Sequence, residues 1–149
     1  MAQTKARTAS LMASPEDAET EFYDAMREAD VERMMALWAD DEEIVCVHPG
    51  GTRLVGSRAL RAAFESIFSH GGVTVQPEHV TRLSALGTAV HSLLERVEVA
   101  TPEGARSGWI VATNVYVKTA QGWRMAAHHA SPGVLEEPPE MPDAPSVLH

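Results

Sequence analysis

The second half of this chain contains four β-rich segments joined by very short turns, and this spacing limits the possible folds more than any other feature. The segments span residues 73–86, 88–100, 106–119 and 123–131, with glycines at positions 87, 104 and 122 in the turns between them. A parallel crossover needs a dozen or more residues, whereas turns of a few residues join antiparallel neighbours. The spacing therefore predicts a long antiparallel meander.

Three helical patterns precede the meander. Ser14 caps the first, Asp30 caps a short second helix, and a third runs from the cap Ser57 to the glycine pair at 71–72. A short strand at 43–48 lies between the second and third helices. Helices followed by a meander indicate an α+β fold, in which one curved, mostly antiparallel sheet of about six strands has the three helices packed on one face.

The chain has 149 residues, which is the length of one ordinary domain. Residues 1–13 are small and polar, without a hydrophobic period, and are expected to be mobile. The predicted domain covers residues 14–131. Residues 132–149 form a Pro-rich acidic tail, because proline at this density excludes helices and central strands.

Charge and cysteine content exclude several classes of function. The chain has 12 basic and 21 acidic residues, a net charge of −9, so it has no electrostatic reason to bind nucleic acid or an anionic membrane. Its single cysteine, Cys46, excludes an intrachain disulfide and a thiolate-rich zinc site. Neither a signal peptide nor a membrane span is evident in the sequence, so a cytoplasmic location is expected.

Three short motifs and the last hairpin carry a resemblance to a known family. The motifs are Ala-Leu-Trp-Ala-Asp-Asp at 36–41, Val-His-Pro-Gly-Gly at 47–51 and Leu-Val-Gly-Ser at 54–57, and the hairpin spans 114–129. Together they resemble the nuclear transport factor 2-like superfamily, and most of all its SnoaL-like and ketosteroid-isomerase-like branch. The resemblance implies a cone-shaped sheet whose concave face forms a pocket closed by the three helices, and a homodimer through the outer face of the sheet. Because this fold hosts isomerases, cyclases, dehydratases and non-catalytic association domains, the chemistry of the site has to decide the function.

The residues that a ketosteroid isomerase uses are not retained. That reaction needs a carboxylate base and an oxyanion hole made by a tyrosine and a protonated carboxylic acid. The resemblance places the tyrosine on Phe22, the base on Cys46 or His48, and the acid on Asn114. Steroid isomerisation is therefore not expected.

Strand parity predicts which side chains point into the pocket. The last hairpin is expected to pair Lys118 with Trp123, which fixes the faces of both strands. The predicted inner face contains His91, Glu95, Asn114, Tyr116 and His129. The predicted outer face, which would form the dimer contact, contains Val111, Thr113, Val115, Arg124 and His128.

Histidine takes the place of the carboxylate base in this predicted pocket. An imidazole titrates near neutral pH, so it suits proton transfer in either direction. The predicted catalytic residues are His48, His129 and Asn114, and the predicted substrate-binding residues are Tyr23, Trp38, His91, Glu95 and Tyr116. These residues suggest a lyase, isomerase or cyclase that moves a proton on a small apolar molecule, without a cofactor or a metal ion.

Two other interpretations stay open. In one, His48 caps a strand end, His91 and Glu95 form a structural pair, and the protein is a non-catalytic dimeric ligand-binding or association domain. In the other, three histidines and a carboxylate bind a metal ion, although no local His-x-His pair supports this. Histidines that converge with Asn114 on one cavity would favour catalysis, and scattered histidines would favour the binding domain.

Overall fold

A computed structural model describes residues 12–133, in which three helices come first and pack against one six-stranded sheet. The helices are α1 (Pro15–Glu28), α2 (Val31–Ala36) and α3 (Ser57–Phe68). The strands are β1 (Val45–Val47), β2 (Arg53–Val55), β3 (Val75–Ala85), β4 (Thr88–Thr101), β5 (Gly104–Thr119) and β6 (Gly122–Pro132). The predicted α+β class, with three helices and about six strands, is confirmed.

The strands lie in the order β2-β1-β6-β5-β4-β3. The meander β3 to β6 is antiparallel throughout, as its short turns predict, and β1 is parallel to β6. Helix α1 packs across the sheet, where it contacts β3, β5 and β6. The largest fully buried side chains lie between helices and sheet and include Phe22, Met34, Phe64, Tyr116 and Met125. No helix in residues 12–133 is long and apolar enough to cross a membrane.

Two of the three predicted helix caps are confirmed. The hydroxyl of Ser14 accepts a hydrogen bond from the Asp17 amide at 3.1 Å, and the Asp30 carboxylate accepts one from the Arg33 amide at 3.0 Å. These bonds satisfy amides that have no partner within the helix. Such local bonds depend on neighbouring residues alone, which is why the sequence predicts them.

The third predicted cap, Ser57, is wrong by one residue. Ser57 is the first helical residue of α3, and Gly56 occupies the N-cap position with φ of 92° and no side-chain bond. The Gly56 amide donates to the carbonyl of Ile44 at 2.9 Å, which fixes the path of the chain before the helix begins. A positive φ at this position favours glycine, so backbone conformation decides the cap instead of a hydroxyl.

The described residues begin two positions before the predicted N-terminal boundary at residue 14. Met12 is buried, and its carbonyl accepts a hydrogen bond from the Trp123 amide at 2.9 Å. At the other end, β6 continues to Pro132. Residues 1–11 and 134–149, which hold most of the predicted mobile segment and acidic tail, lie outside the described residues.

A β-bulge in β6 reverses the predicted faces of two histidines. The hairpin pairs Lys118 with Trp123, as predicted, but Ala126 is an extra residue between Met125 and Ala127, which pair with Tyr116 and Val115. Each residue of β6 beyond this point is therefore shifted to the opposite face.

The consequence is that His128 pairs with Asn114 and is buried, whereas His129 pairs with Thr113 and is exposed. The prediction that His129 points inward and His128 outward is wrong. Glu95 and His91 are buried on the same face as Asn114, as predicted, because the β4–β5 register contains no such irregularity.

Gly72 lies where the chain leaving α3 passes against the end of α1. The amide of Val73 donates to the carbonyl of Met26 at 2.9 Å, and a Cβ on Gly72 would overlap the carbonyl oxygen of Arg27. Gly72→Ala is expected to lower the free energy of unfolding by about 3 kcal/mol, because backbone atoms have to move. Gly87→Ala is the control, since Gly87 has φ of 66° with open space around it and the change should cost only about 1 kcal/mol. Urea denaturation of both variants measures the difference, and equal losses would contradict the close approach.

Candidate functional site

Four buried polar side chains form a continuous hydrogen-bonded chain between α1 and the inner face of the sheet. The Tyr23 hydroxyl donates to Glu95 Oε2 at 2.6 Å, and Asn114 Nδ2 donates to the Tyr23 oxygen at 3.1 Å. Asn114 Oδ1 lies 2.6 Å from His128 Nδ1. All four residues are at most 3% exposed. We call this set the interior polar chain.

Each hydrogen bond in the interior polar chain is donated in the direction of Glu95. Because Tyr23 donates to Glu95, its oxygen is available to accept from the Asn114 amide group. The Asn114 oxygen then accepts from His128, which places the imidazole proton on Nδ1. The network therefore places a proton on Nδ1 of His128, and a neutral ring would carry its lone pair on Nε2.

Burial controls the ionisation of these groups. It raises the pKa of Glu95 to about 7, against the opposing effect of the hydrogen bond from Tyr23. Burial, with the charge of Glu95, also raises the pKa of Tyr23. Burial lowers the pKa of His128 to about 3, with smaller contributions from His48 and His129. At neutral pH the tyrosine and the histidine are uncharged, and Glu95 is near its midpoint.

His48 lies beside the interior polar chain without a hydrogen bond to it. Its half-buried ring meets the Phe64 ring edge-on at 5.2 Å, and its centroid is 6.2 Å from that of His128. His48 Nε2 is 3.6 Å from the sulfur of Cys46, whose pKa burial raises to about 12. Burial lowers the pKa of His48 as well. The pair is therefore a neutral imidazole next to a thiol.

His91 belongs to a second buried contact with α1. Its Nδ1 lies 3.0 Å from Glu19 Oε2, and its ring centroid is 4.9 Å from that of Tyr116. The predicted pair between His91 and Glu95 is wrong, because Glu19 and Tyr23, one turn apart on α1, each take one of these two strand residues as partner. The Tyr116 hydroxyl is buried and has no hydrogen-bond partner among the described residues.

The structure brings together only part of the predicted site. Tyr23, Glu95 and Asn114 meet directly, and His48 adjoins them. His91 and Tyr116 lie on the same face in the second contact. Trp38 and His129 are elsewhere, Trp38 beside the start of β6 and His129 on the outer face.

Sequence reasoning missed two residues of this interior, Glu19 and His128. Glu19 was detectable, because it lies four residues before Tyr23 and so on the same face of α1. His128 was not, because no residue in β6 marks the bulge that turns it inward. Within residues 12–133, no three His, Cys, Asp or Glu side chains are placed to hold a metal ion together.

An open cleft lies away from the interior polar chain. It has a volume of about 880 Å³ and lies between α2, the loop that follows it, the start of α3 and the β5–β6 hairpin. Its lining includes Met35, Trp38, Asp40, Asp41, Ser57, Arg58, Arg61, Val117 and Arg124. None of the four residues of the interior polar chain contributes to this lining.

Comparison with known proteins places this architecture in a family. A model of the family described as SnoaL-like domain matches residues 16–135. No protein with a curated description matches the chain significantly.

Three solved structures match this chain over more than nine-tenths of their own length. One, from Thiobacillus denitrificans and provisionally described as a calcium/calmodulin-dependent protein kinase type II association domain, is 35% identical with a TM-score of 0.73, over 81% of this chain and 96% of that chain. Another, from Streptomyces avermitilis, is provisionally described as a dehydratase from the NTF2-like family. It is 28% identical with a TM-score of 0.70, over 78% of this chain and 92% of that one. The CaMKII hub from S. rosetta is 20% identical with a TM-score of 0.64, over 81% and 98%, and shares the fold.

The raised pKa of Glu95 predicts how its contribution to stability changes with pH. Between pH 4.5 and 7 the folded protein keeps a proton on Glu95 that the unfolded chain releases, so this contribution decreases as pH rises and is constant above about pH 7. Glu95→Gln keeps the shape and cannot ionise. We compare the free energy of unfolding of the unsubstituted protein with that of Glu95→Gln. The difference between the two should fall by roughly 3 kcal/mol from pH 4.5 to pH 7.

Urea denaturation at several pH values measures that difference. Subtracting the variant's curve removes the opposite trend from His48 and His128, whose pKa values are lowered in the folded state. A difference that stays constant from pH 4.5 to 7 would contradict the buried, protonated state of Glu95.

Proposed function

The chain belongs to the SnoaL-like domain family, and we propose that it is a self-associating binding module of this family whose interior polar chain is structural. The observation that carries the proposal is that Tyr23, Glu95, Asn114 and His128 bond to one another in the closed interior. A catalytic acid or base has to reach its substrate by a direct or water-mediated hydrogen bond. In this arrangement the best acid and base groups already have each other as partners.

The scattered histidines support the same conclusion. His91 is bonded to Glu19 although it lies opposite Asn114 in the β4–β5 ladder, His129 lies on the outer face, and His48 adjoins the interior polar chain through His128. None of these three histidines is hydrogen-bonded to Asn114, whose oxygen is bonded to His128 instead. Their separate partners favour the binding-domain interpretation over the catalytic one.

The outer face of the sheet provides a surface for association. Its exposed apolar side chains include Leu83 on β3, Val111 on β5 and Val55 on β2, which are 70%, 49% and 41% exposed. Val115 and Leu94 are half-buried on the same face and add to its apolar area. Apolar patches of this kind are unusual on monomers and often mark interaction surfaces.

A second copy of this chain is the proposed partner. The structure from Thiobacillus denitrificans, 35% identical to this chain, is provisionally described as an association domain, and the S. rosetta structure with the same fold is described as a hub. A symmetric dimer would bring the same apolar strands of two copies together. The outward-facing His129, and not the buried His128, would lie in that contact.

Substitution at the centre of the outer face tests self-association. Val111→Glu places a charge on the proposed contact, and Leu86→Glu is the matched control, since Leu86 is fully exposed at the tip of the β3–β4 turn. We expect sedimentation velocity to show a dimer or larger assembly at micromolar concentration for the original protein and for Leu86→Glu. Val111→Glu should sediment as a folded monomer, because burying an unpaired carboxylate is costly. A monomeric original protein, or an unchanged Val111→Glu assembly, would contradict the proposal.

One observation favours a second candidate function, proton transfer on a small molecule. His48 is only half-buried and its ring lies 6.2 Å from that of His128, so it connects the interior polar chain with the surface. The Streptomyces avermitilis structure, 28% identical, is provisionally described as a dehydratase. In this function, a neutral His48 would act as a base at the mouth of the interior.

Deuterium exchange distinguishes the two functions. A base that removes a hydrogen next to a carbonyl group also exchanges that hydrogen for deuterium in D₂O, so the α-hydrogens of simple ketones serve as a probe that NMR measures directly. The binding-module proposal predicts exchange at the rate of the buffer alone, for both the original protein and His48→Gln. Faster exchange that disappears in His48→Gln would overturn the binding-module proposal and support catalysis.

A further inference from the structure

We propose that the open cleft between α2, α3 and the β5–β6 hairpin binds a small organic molecule with one carboxylate, held by Arg124, Arg58 and the start of α3. This site is separate from both the interior polar chain and the apolar centre of the outer face. The same space is lined by a buried cation without an acid partner among the described residues, an uncapped helix start and an apolar wall.

Arg124 is the central observation. Its side chain lines the cleft, yet the residue is only 6% exposed. Among the described residues its guanidinium makes one hydrogen bond, from Nη1 to the neighbouring carbonyl of Trp123 at 2.9 Å, and has no acidic partner. Burial lowers the pKa of Arg124. A guanidinium has five N–H donors arranged to bind a carboxylate, so most of its binding capacity is unused.

The start of α3 adds a second set of donors. Gly56 at the N-cap has no side chain, and no side chain in residues 12–133 caps the helix, so its first amide groups are available for an acceptor. Ser57, the first helical residue, lines the cleft and contributes a hydroxyl. The positive end of a twelve-residue helix dipole therefore faces the same side of the molecule as Arg124.

Two further arginines line the cleft but differ in their availability. Arg61 is paired with Glu32 at 2.9 Å, so its charge is already compensated. Arg58 is exposed and has no acidic partner among the described residues. Arg58 is thus the second cation available to a ligand, and its exposure lets it approach the ligand without rearranging the fold.

The remaining lining defines the other end of the ligand. Met35, Ala36, Trp38 and Val117 form an apolar wall, and the indole Nε1–H of Trp38 is buried without an acceptor among the described residues. A cavity of about 880 Å³ is within the size range of small-molecule sites. The wall suits an aromatic or alkyl body attached to the carboxylate.

Asp40 and Asp41 restrict the charge of that ligand. Both are exposed and line the cleft, and the Asp41 carboxylate accepts a bond from the Glu43 amide at 2.8 Å. Their negative charges oppose a polyanion such as a nucleotide, whereas one carboxylate seated on Arg124 is tolerated. The cleft therefore favours a monoanion over a phosphate diester chain or a polyphosphate.

Titration with benzoate, followed by tryptophan fluorescence and calorimetry, tests this site. We expect saturable binding of benzoate and no binding of benzamide, which has the same shape without the charge. Arg58→Gln and Arg124→Gln should each weaken benzoate binding about tenfold or more, because each removes a charge-assisted hydrogen bond. Arg106→Gln is the matched control, since Arg106 is exposed at the start of β5, outside the cleft, and should leave the affinity unchanged.

Each other outcome overturns the proposal. Absence of saturable benzoate binding, equal binding of benzamide, or an equal loss in Arg106→Gln would show that no carboxylate site exists in the cleft. Inorganic phosphate that binds more tightly than benzoate would show that the apolar wall plays no part. If Arg124→Gln does not fold, Arg58→Gln and the benzamide comparison decide the result.

Discussion

The hydrogen bond between Tyr23 and Glu95 connects α1 with the sheet, and the closed interior depends on it. A carboxyl group buried on the inner face of β4 would be costly without a partner, and the tyrosine hydroxyl supplies one at 2.6 Å. The bond also orients Asn114 and, through it, His128. One turn earlier on α1, Glu19 bonds His91 in the same way. The helix is thus fixed to the sheet by polar pairs within an otherwise apolar core, and polar pairs fix position more specifically than apolar contacts do.

How much the sequence predicts depends on how local each signal is. The helix starts at Ser14 and Asp30 and the antiparallel meander follow from a few neighbouring residues, and all were predictable. Predicting which side chains point inward requires the pairing register of each strand. The register of β6 changes at Ala126. Because a single extra residue inverts every later position, Tyr116 and Asn114 were placed correctly whereas His128 and His129 were exchanged. Pairing between helix and sheet, such as Glu19 with His91, depends on tertiary packing that no local pattern specifies.

The interior, the outer face of the sheet and the cleft have different chemistry. This separation explains how one small domain can have a rigid core and still offer binding surfaces. Polar pairs fill the interior, apolar side chains cover the outer face, and the cleft contains two arginines, Arg58 and Arg124, without an acid partner in residues 12–133. Val117, which lines the cleft, is two residues from Val115 of the outer face. The cleft therefore borders the proposed association surface, so the two proposed functions lie next to each other on the same strands.

The ionisation of His128 tests most directly whether the interior is a closed structural network. Its Nδ1 proton is committed to Asn114 and its ring is buried, which lowers its pKa to about 3. Nitrogen NMR of the imidazole, with His128→Asn used to assign the signal, reports both tautomer and charge. A closed structural interior predicts a neutral ring with its proton on Nδ1 that does not titrate between pH 5 and 8. A ring that becomes protonated near pH 6.5, or that carries its proton on Nε2, would show that His128 is open to exchange with solvent or ligand and would contradict a structural interior.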